Sequence, residues 1–165
     1  MPHTALRIEF GSERFSLDSP CSAGDAGMPG EDLCRWLRDA LPQWTLDYME
    51  EDWGWLLGTD RTRTDTADTD HQLCVYAYPP GTPDGDGVQS THGEWMLVLY
   101  RRVRSTRLKF LHRWDYTAFD ASLAADVIAA LRGIDARDLR ASALQMDGAG
   151  RETAAAPYLP DQLTL

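Results

Sequence analysis

The feature that most constrains the fold is an uninterrupted apolar run near the middle of the chain. Residues 95–100 read Trp-Met-Leu-Val-Leu-Tyr, and no charged or amide side chain interrupts them. A strand with one face in water alternates apolar and polar residues, whereas a strand covered on both faces is apolar throughout. The run therefore predicts a strand within 94–103 that lies centrally in a sheet, with other strands beside it.

Several shorter segments have strand character. Residues 6–10 alternate apolar and polar side chains, and the alternation resumes at Phe15 and Leu17 after the turn residues Gly11 and Ser12, which predicts a hairpin. Further strands are predicted at 53–57, 72–78 and 108–114, and residues 138–146 are the candidate for a last one. The polar stretch 59–70 and the Pro/Gly/Asp stretch 79–93 are predicted loops.

Two segments show helical periodicity. Within 31–41, leucines recur every four residues and Pro42 ends the pattern. Within 120–132, Asp120 is the predicted N-cap, Gly133 the predicted end, and the buried stripe consists of Leu123, Val127 and Leu131, widened by Ala124 and Ile128. The order of elements predicts an α+β fold: a single antiparallel β-sheet of about five to seven strands, with two helices packed on it.

The chain length fits one domain. We expect the folded domain to span residues 1–146. Residues 147–165, which contain Gly, three consecutive Ala and two Pro, are expected to form a loosely ordered tail. No apolar run approaches the roughly 18 residues needed to cross a bilayer, and the first residues lack the pattern of a secretory signal. The expected location is cytoplasmic.

The charge of the chain is strongly negative and unevenly distributed. The net charge is -10 and the pI about 4.7. Residues 1–99 hold 18 acidic and six basic side chains, whereas residues 100–165 hold eight acidic and ten basic ones. Such a balance disfavours nucleic acid and anionic membranes as partners and favours a basic protein, which it attracts over a distance.

The sequence contains no recognisable catalytic motif. Nucleophile elbows, phosphate-binding loops and dinucleotide fingerprints are absent, and the segment 84–87 fails as a calcium loop because Val88 occupies a ligand position. Cys21, Cys34 and Cys74 form no CxxC pair, so they predict reduced thiols rather than a zinc or redox site. We therefore expect no catalytic residue, no cofactor and no metal.

Two weak alternatives for chemistry stay open. Asp68, Asp70 and His71 would lie near His92 if their loops share one end of the sheet, and a metal could then bind there, although a solvated acidic loop is the favoured interpretation. Cys74 would meet His112 if strands 72–78 and 108–114 are neighbours. Nearby carboxylates disfavour the thiolate that such a pair would need.

The acidic segment 47–55 is the first candidate binding surface. Four acids precede and interleave with aromatic residues, so carboxylates would pair with Arg or Lys of a partner and the aromatics would anchor it. The candidate partner-binding residues are Asp47, Glu50, Glu51 and Asp52, with Asp65, Asp68 and Asp70 as a second acidic loop. The alternative is that Trp53 and Trp55 share one face of a strand and are buried together, beside a solvated acidic edge.

A basic segment forms the second charged feature. It comprises Arg101, Arg102, Arg104, Arg107, Lys109 and Arg113, with Tyr100, Trp114 and Tyr116 close by. Such a pattern is typical of a phosphate or nucleic-acid patch. Because the whole molecule is acidic, we favour the other interpretation, in which these side chains pair with the chain's own carboxylates.

One family resemblance concerns the same acidic segment. Residues 51–57, Glu-Asp-Trp-Gly-Trp-Leu-Leu, followed by 93–99 and the helix 120–132, make the chain similar to small acidic bacterial immunity-type proteins. The resemblance covers residues 31–132 through the order of their helices and strands, and the Asp-Trp-Gly-Trp segment is its only motif. The resemblance implies a non-catalytic protein that neutralises a cognate toxin by covering it.

Three functions are compatible with these observations. The first is an immunity-type module whose acidic surface occludes a basic toxin or effector. The second is a secretion chaperone or adaptor that binds its effector as a homodimer. The third is an enzyme with a motif-free site, which would need a pocket that collects His92, His112 and a carboxylate. The sequence sets neither the oligomeric state nor the identity of the partner.

Overall fold

The computed structural model describes residues 2–16, 29–59, 69–77, 95–108, 111–134 and 136–158. Within them the chain forms eight strands, two α-helices and one short 3₁₀ helix, Pro42–Trp44. The strands are β1 (His3–Gly11), β2 (Asp47–Glu51), β3 (Gly54–Gly58), β4 (Thr69–Ala77), β5 (Trp95–Leu108), β6 (Leu111–Thr117), β7 (Arg137–Met146) and β8 (Glu152–Pro157). The helices are α1 (Glu31–Ala40) and α2 (Ala121–Arg132).

All strands belong to one sheet, and every described pairing is antiparallel. The order across the sheet is β2-β3-β4-β5-β1-β7-β8. Strand β5 is long enough to pair along one edge with both β1 and β6, β1 on its first half and β6 on its second. The α+β prediction with a single antiparallel sheet and two helices is confirmed, and so is the central place of residues 95–100.

Both helices pack on one face of the sheet, which we call the covered face. Leu33 and Leu37 of α1 join Leu123, Val127 and Leu131 of α2 in the main hydrophobic core. The sheet contributes alternate residues to the same core: Leu6, Ile8, Phe10, Trp55, Leu57, Leu73, Val75, Trp95, Leu97 and Leu99. The predicted stripe of α2 is therefore buried, and Asp120 caps the helix by accepting from the N–H groups of Ser122 and Leu123 at 2.8 and 3.2 Å.

The opposite face, which we call the open face, has a second and smaller cluster. Its buried members are Ala5, Leu56, Cys74, Val98, Leu144 and Met146, with Tyr76, Met96 and Tyr100 packed against them. In the described part of the chain, both α-helices lie on the covered face, so the open face is bordered by turns and aromatic side chains instead.

Three expectations about elements are wrong. Residues 15 and 16 do not form a second strand after β1; Phe15 instead contacts Trp36 and Trp95 in the core. The strand predicted at 53–57 is displaced by one residue, to Gly54–Gly58, and residues 47–51, for which no strand was predicted, form the edge strand β2. The expected loose tail does not hold for residues 147–158, because β8 pairs with β7 from Ser142–Pro157 to Met146–Glu152 and extends the sheet.

Candidate binding surfaces

The acidic hairpin, which we define as residues 47–54, lies at the outer edge of the sheet. Strand β2 pairs only with β3 among the described strands, from Asp47 opposite Gly58 to Glu51 opposite Gly54. Asp52 and Trp53 form the connecting turn. The four predicted carboxylates of this segment are therefore carried by one edge strand and its turn.

Their side chains do not all share one face. Met49 is paired with Leu56 of the open face, and because strand residues alternate, Asp47 and Glu51 are on that same side. Glu50, paired with Trp55, is on the covered face. Asp52 is exposed in the turn. The acids are concentrated along an edge rather than gathered on one flat surface.

Trp53 differs from the expectation of a buried pair of tryptophans. Trp55 is buried, whereas Trp53 is 40% exposed and Met49 is equally so. The strand begins at Gly54, so Trp53 belongs to the turn and does not follow the alternation. Its ring lies against Tyr76 with centroids 5.1 Å apart, which holds an exposed aromatic surface beside the acids.

The backbone conformation at Gly54 explains why the Asp-Trp-Gly-Trp segment has a glycine at this position. Its φ is +152°, a region that side-chain-bearing residues rarely adopt, and a Cβ there would overlap the carbonyl oxygen of Val75. The glycine lets the hairpin turn tightly against β4.

The second acidic loop is only partly described. Asp65 and Asp68 lie outside the described residues. Asp70 is in β4 rather than in a loop, its side chain is 3% exposed, and it accepts a 2.7 Å hydrogen bond from Nε of Arg102, whose side chain is 28% exposed. Asp70 is therefore paired within the molecule and does not present its carboxylate to a partner.

Arg102 and Arg113 of the basic segment are also paired within the molecule. The guanidinium of Arg102 also lies over the ring of Trp114 at 4.7 Å, and Arg113 pairs with Asp115 at 2.9 Å. For these two residues the contacts agree with the interpretation that the arginines pair with the chain's own carboxylates, whereas the buried Nε of Arg101 has no hydrogen-bond partner among the described residues. The side chains of Arg107 and Lys109 lie outside the described residues.

The described members of the proposed histidine clusters are not brought together. His71 is on the covered face, where Nε2 lies 3.1 Å from a carboxylate oxygen of Asp120, while Asp70 is on the open face. His92 and the side chain of His112 lie outside the described residues. Among the described residues, no group of three or more His, Cys, Asp or Glu side chains is placed to hold a metal ion.

Cys74 is not placed as a nucleophile. Strand β4 pairs with β3 and β5, and β6 pairs with β5, so the strands that would join Cys74 to His112 are not neighbours. Burial raises the pKa of the Cys74 thiol to about 12; a hydrogen bond with Tyr76 opposes this rise, and the charge of Glu51 adds to it.

A groove on the open face was not anticipated from the sequence. It has a volume of about 690 Å³, with Leu56 and Cys74 among its lining. Aromatic side chains stand at both ends, and His3 lines it from the start of β1. The sequence held one signal for this groove, because Tyr100, Trp114 and Tyr116 lie close in sequence to the arginines. It held no signal for His3, whose place in the groove depends on the pairing of β1 with β7.

Comparison with protein-family models, curated proteins and solved structures finds no match to this chain. Within the described part of the chain, no helix has both the length and the apolar content that crossing a membrane requires.

Proposed function

We propose that this chain is a non-enzymatic binding module of the immunity type, which neutralises a basic protein toxin or effector by covering it. The proposal is carried by one observation: the acidic hairpin places Asp47, Glu51 and the turn residue Asp52 on the same side of a sheet edge as the exposed side chains of Met49 and Trp53, with Glu50 on the other side of the same strand. The net charge of -10 and the resemblance of residues 51–57 to immunity-type proteins support the same function.

Each part of the hairpin has a role in this mechanism. Carboxylates attract a basic partner before contact and pair with its Arg or Lys side chains on contact. Trp53 and Met49 supply apolar area beside the acids of the hairpin, and tryptophan is one of the residue types enriched among binding hot spots. The pairing of Asp70 with Arg102 removes Asp70 from this surface, so the proposal rests on Asp47, Glu50, Glu51 and Asp52.

The edge position supports a protein partner rather than a small molecule. A strand at the edge of a sheet presents backbone N–H and C=O groups with which another chain can pair. The acidic side chains of β2 disfavour pairing with acidic or neutral strands and favour a cationic partner. We place the encounter in the cytoplasm, where a self-protecting protein would meet its toxin.

The test uses the product of the neighbouring gene as the binding partner. Association rates are measured at low and at high salt for the wild type, for Asp52→Lys, and for Glu13→Lys as a control with the same charge change at a highly exposed site. Asp52→Lys should slow association about three- to tenfold at low salt and flatten its salt dependence, because steering acts through charge. Equal on-rates for the two variants would contradict the proposal.

A second variant separates anchoring from steering. Trp53→Ala should leave the association rate nearly unchanged and raise the dissociation rate by about tenfold or more, because it removes apolar contact rather than charge. If Trp53→Ala dissociates at the wild-type rate, the hairpin is not the centre of the interface.

A further inference from the structure

The groove on the open face is lined by aromatic rings at both of its ends. Its volume of about 690 Å³ lies within the range of ligand sites. Trp53 and Tyr76 line one end, and Tyr100, Trp114 and Tyr116 line the other. Trp53 and Tyr116 are exposed although their rings are large and apolar. Exposed rings on both sides of one depression indicate a binding site.

The two aromatic ends are too far apart for one small ring to touch both. Tyr116 is paired with Arg102 of β5, and Arg102 is opposite Asp70 of β4. Trp53 lies against Tyr76, near the other end of β4. Asp70 and Tyr76 are six residues apart in that strand, which corresponds to about 20 Å. An occupant that uses both ends is therefore an elongated molecule.

A neutral polar group lies between the aromatic ends. Gln72 lines the groove and is only 9% exposed. It is paired with Gly58 on one side and with Tyr100 on the other, and the lack of a side chain at Gly58 leaves room beside its amide. None of the hydrogen bonds among the described residues involves this amide. Buried polar groups normally have a partner, so the amide of Gln72 indicates a place where a ligand supplies one.

The charges that border the groove are matched where the structure describes them. The carboxylate of Asp70 accepts a hydrogen bond from Nε of Arg102 at 2.7 Å, so these two charges offset each other. Arg113 and Asp115 pair with each other at 2.9 Å, and their side chains lie with that of Ser105 on the opposite face of the sheet. Because an ion loses hydration on binding and needs an opposite charge in return, the groove favours an uncharged ligand.

We propose that this groove binds an uncharged oligosaccharide, which is an activity beyond the proposed function. A sugar ring has an apolar face of C–H groups, which stacks on an aromatic ring, and hydroxyl groups around its edge, which form hydrogen bonds with polar side chains. Several linked sugar rings repeat this combination along an elongated molecule. The repeat matches aromatic ends that are separated by a neutral amide.

An extended peptide fits the groove less well. Strands β4 and β5 have neighbours on both sides, so their backbone N–H and C=O groups are used within the sheet. A peptide that lies across this face would therefore find no strand with which to pair, and unpaired backbone groups are unfavourable when they are buried. The hydroxyl groups of a sugar lie at the edge of each ring, where the amide of Gln72 and water can both reach them.

Tyr116 is the side chain that is best placed for stacking. His3 covers one face of its ring, with centroids 5.0 Å apart and planes 22° apart, yet the residue is 42% exposed. The other face is therefore open to a sugar ring. Tyr100 also contacts the ring, at 5.7 Å and an angle of 67°. Because these contacts hold the ring before a ligand arrives, little side-chain freedom is lost on binding.

The experiment is a calorimetric titration of the wild-type chain with sugars of different length and charge. Cellotetraose, maltotetraose and chitotetraose are uncharged chains of four rings, glucose is a single ring, and tetragalacturonate is a chain of four rings with carboxylates. A capped peptide of alternating Ala and Phe represents the peptide alternative. Tyr116→Ala removes the stacking ring and Tyr116→Phe keeps it. Met49→Ala is the control, because Met49 is similarly exposed on the same face but is not part of the groove lining.

We expect at least one of the uncharged tetrasaccharides to bind with a dissociation constant below about 1 mM, and glucose to bind at least about tenfold more weakly. Tyr116→Ala should weaken the binding by about five- to tenfold through the loss of one stacked ring, whereas Tyr116→Phe and Met49→Ala change it by less than about twofold. Gln72→Met keeps the length of the side chain but removes the amide, and should weaken the binding by about three- to tenfold.

Several results would overturn the proposal. They are the absence of binding by all three uncharged tetrasaccharides, binding of glucose as tight as that of the longer chains, and tighter binding of tetragalacturonate or of the peptide than of any uncharged sugar. Equal effects of Tyr116→Ala and Met49→Ala, or unchanged affinity in Gln72→Met, would also contradict it. The measurements use no protein partner and leave Trp53 unchanged, so their failure does not bear on the proposed function.

Discussion

Replacing Arg102 with methionine removes the cation from a carboxylate that the fold has taken out of water. The side chain of Asp70 is 3% exposed, so the stranded charge cannot be rehydrated without opening the sheet. Removing one partner of a buried ion pair costs about 3–5 kcal/mol, and the lost contact of the guanidinium with Trp114 adds about 0.5–1 kcal/mol. We expect Arg102→Met to lower the free energy of unfolding by about 4 kcal/mol.

Asp70→Asn should cost much less. The guanidinium of Arg102 is 28% exposed and keeps both its contact with Trp114 and an amide oxygen as acceptor. The loss is then that of one charge-assisted hydrogen bond, about 1–2 kcal/mol. The asymmetry between the two variants, about 2 kcal/mol, follows directly from the difference in exposure of the two side chains.

The assay is urea unfolding followed by tryptophan fluorescence, with the slope of the transition compared among variants. Arg113→Met is the matched control, because its partner Asp115 is more exposed and the pair is at the surface, where such pairs contribute about 0–1 kcal/mol. The burial of Asp70 does not set the cost if Asp70→Asn is as destabilising as Arg102→Met, or if Arg102→Met unfolds at the same urea concentration as Arg113→Met.

Three further predictions concern the framework of the sites. Asp120→Ala should destabilise the protein by about 1–2 kcal/mol, while Asp120→Asn, which can still cap α2, should cost less. Burial raises the pKa of Asp120, but the N–H groups at the helix start and His71 outweigh burial and lower it. The stabilisation by Asp120 is therefore present above the unfolded pKa of the group and is lost as the pH falls through its folded pKa, which thermal unfolding at several pH values measures. Gly54→Ala should cost more than about 2 kcal/mol in chemical unfolding, because the added Cβ overlaps the backbone of Val75; a smaller loss would show that the hairpin adjusts freely. Cys74 should resist alkylation in the native state at neutral pH and react after unfolding, as measured by peptide mass spectrometry, and rapid native labelling would contradict its raised pKa of about 12.

The sequence is informative where hydrophobic periodicity and capping agree. The run at 95–100 predicts the central strand because a strand covered on both faces contains no polar alternation, and Asp120 predicts the start of α2 because its carboxylate satisfies N–H groups that the helix leaves free. In both segments, local pattern and tertiary packing favour the same structure.

It is less informative at the two edges of the sheet. Strand β2 is rich in acids, and β8 contains three alanines and ends at a proline, so neither has the composition of a strand. Both form because a neighbouring strand offers its free hydrogen-bonding edge, which is a tertiary effect. The prediction that Trp53 is buried beside Trp55 is wrong for a similar reason. The strand begins one residue later than the apolar pattern suggests, so Trp53 lies in the turn and its side chain has the opposite orientation.

The candidate sites depend on long-range pairing in the same way. The acidic hairpin could be identified from charge density alone, but the removal of Asp70 from it follows from the register of β4 against β5, which places Asp70 opposite Arg102. The groove requires His3, Leu56 and Tyr116 to meet from three distant parts of the chain, and no local pattern predicts such a meeting.

Hydrogen exchange of the complex with the neighbouring gene product locates the surface that the partner covers. The proposed interface predicts that binding slows exchange of the backbone amides of residues 47–53, since the partner covers the edge strand β2 and its turn, while amides of β8 at the opposite edge keep their rates. Slowed exchange in β8 or α2 with residues 47–53 unchanged, or the absence of any complex between the two proteins, would contradict it.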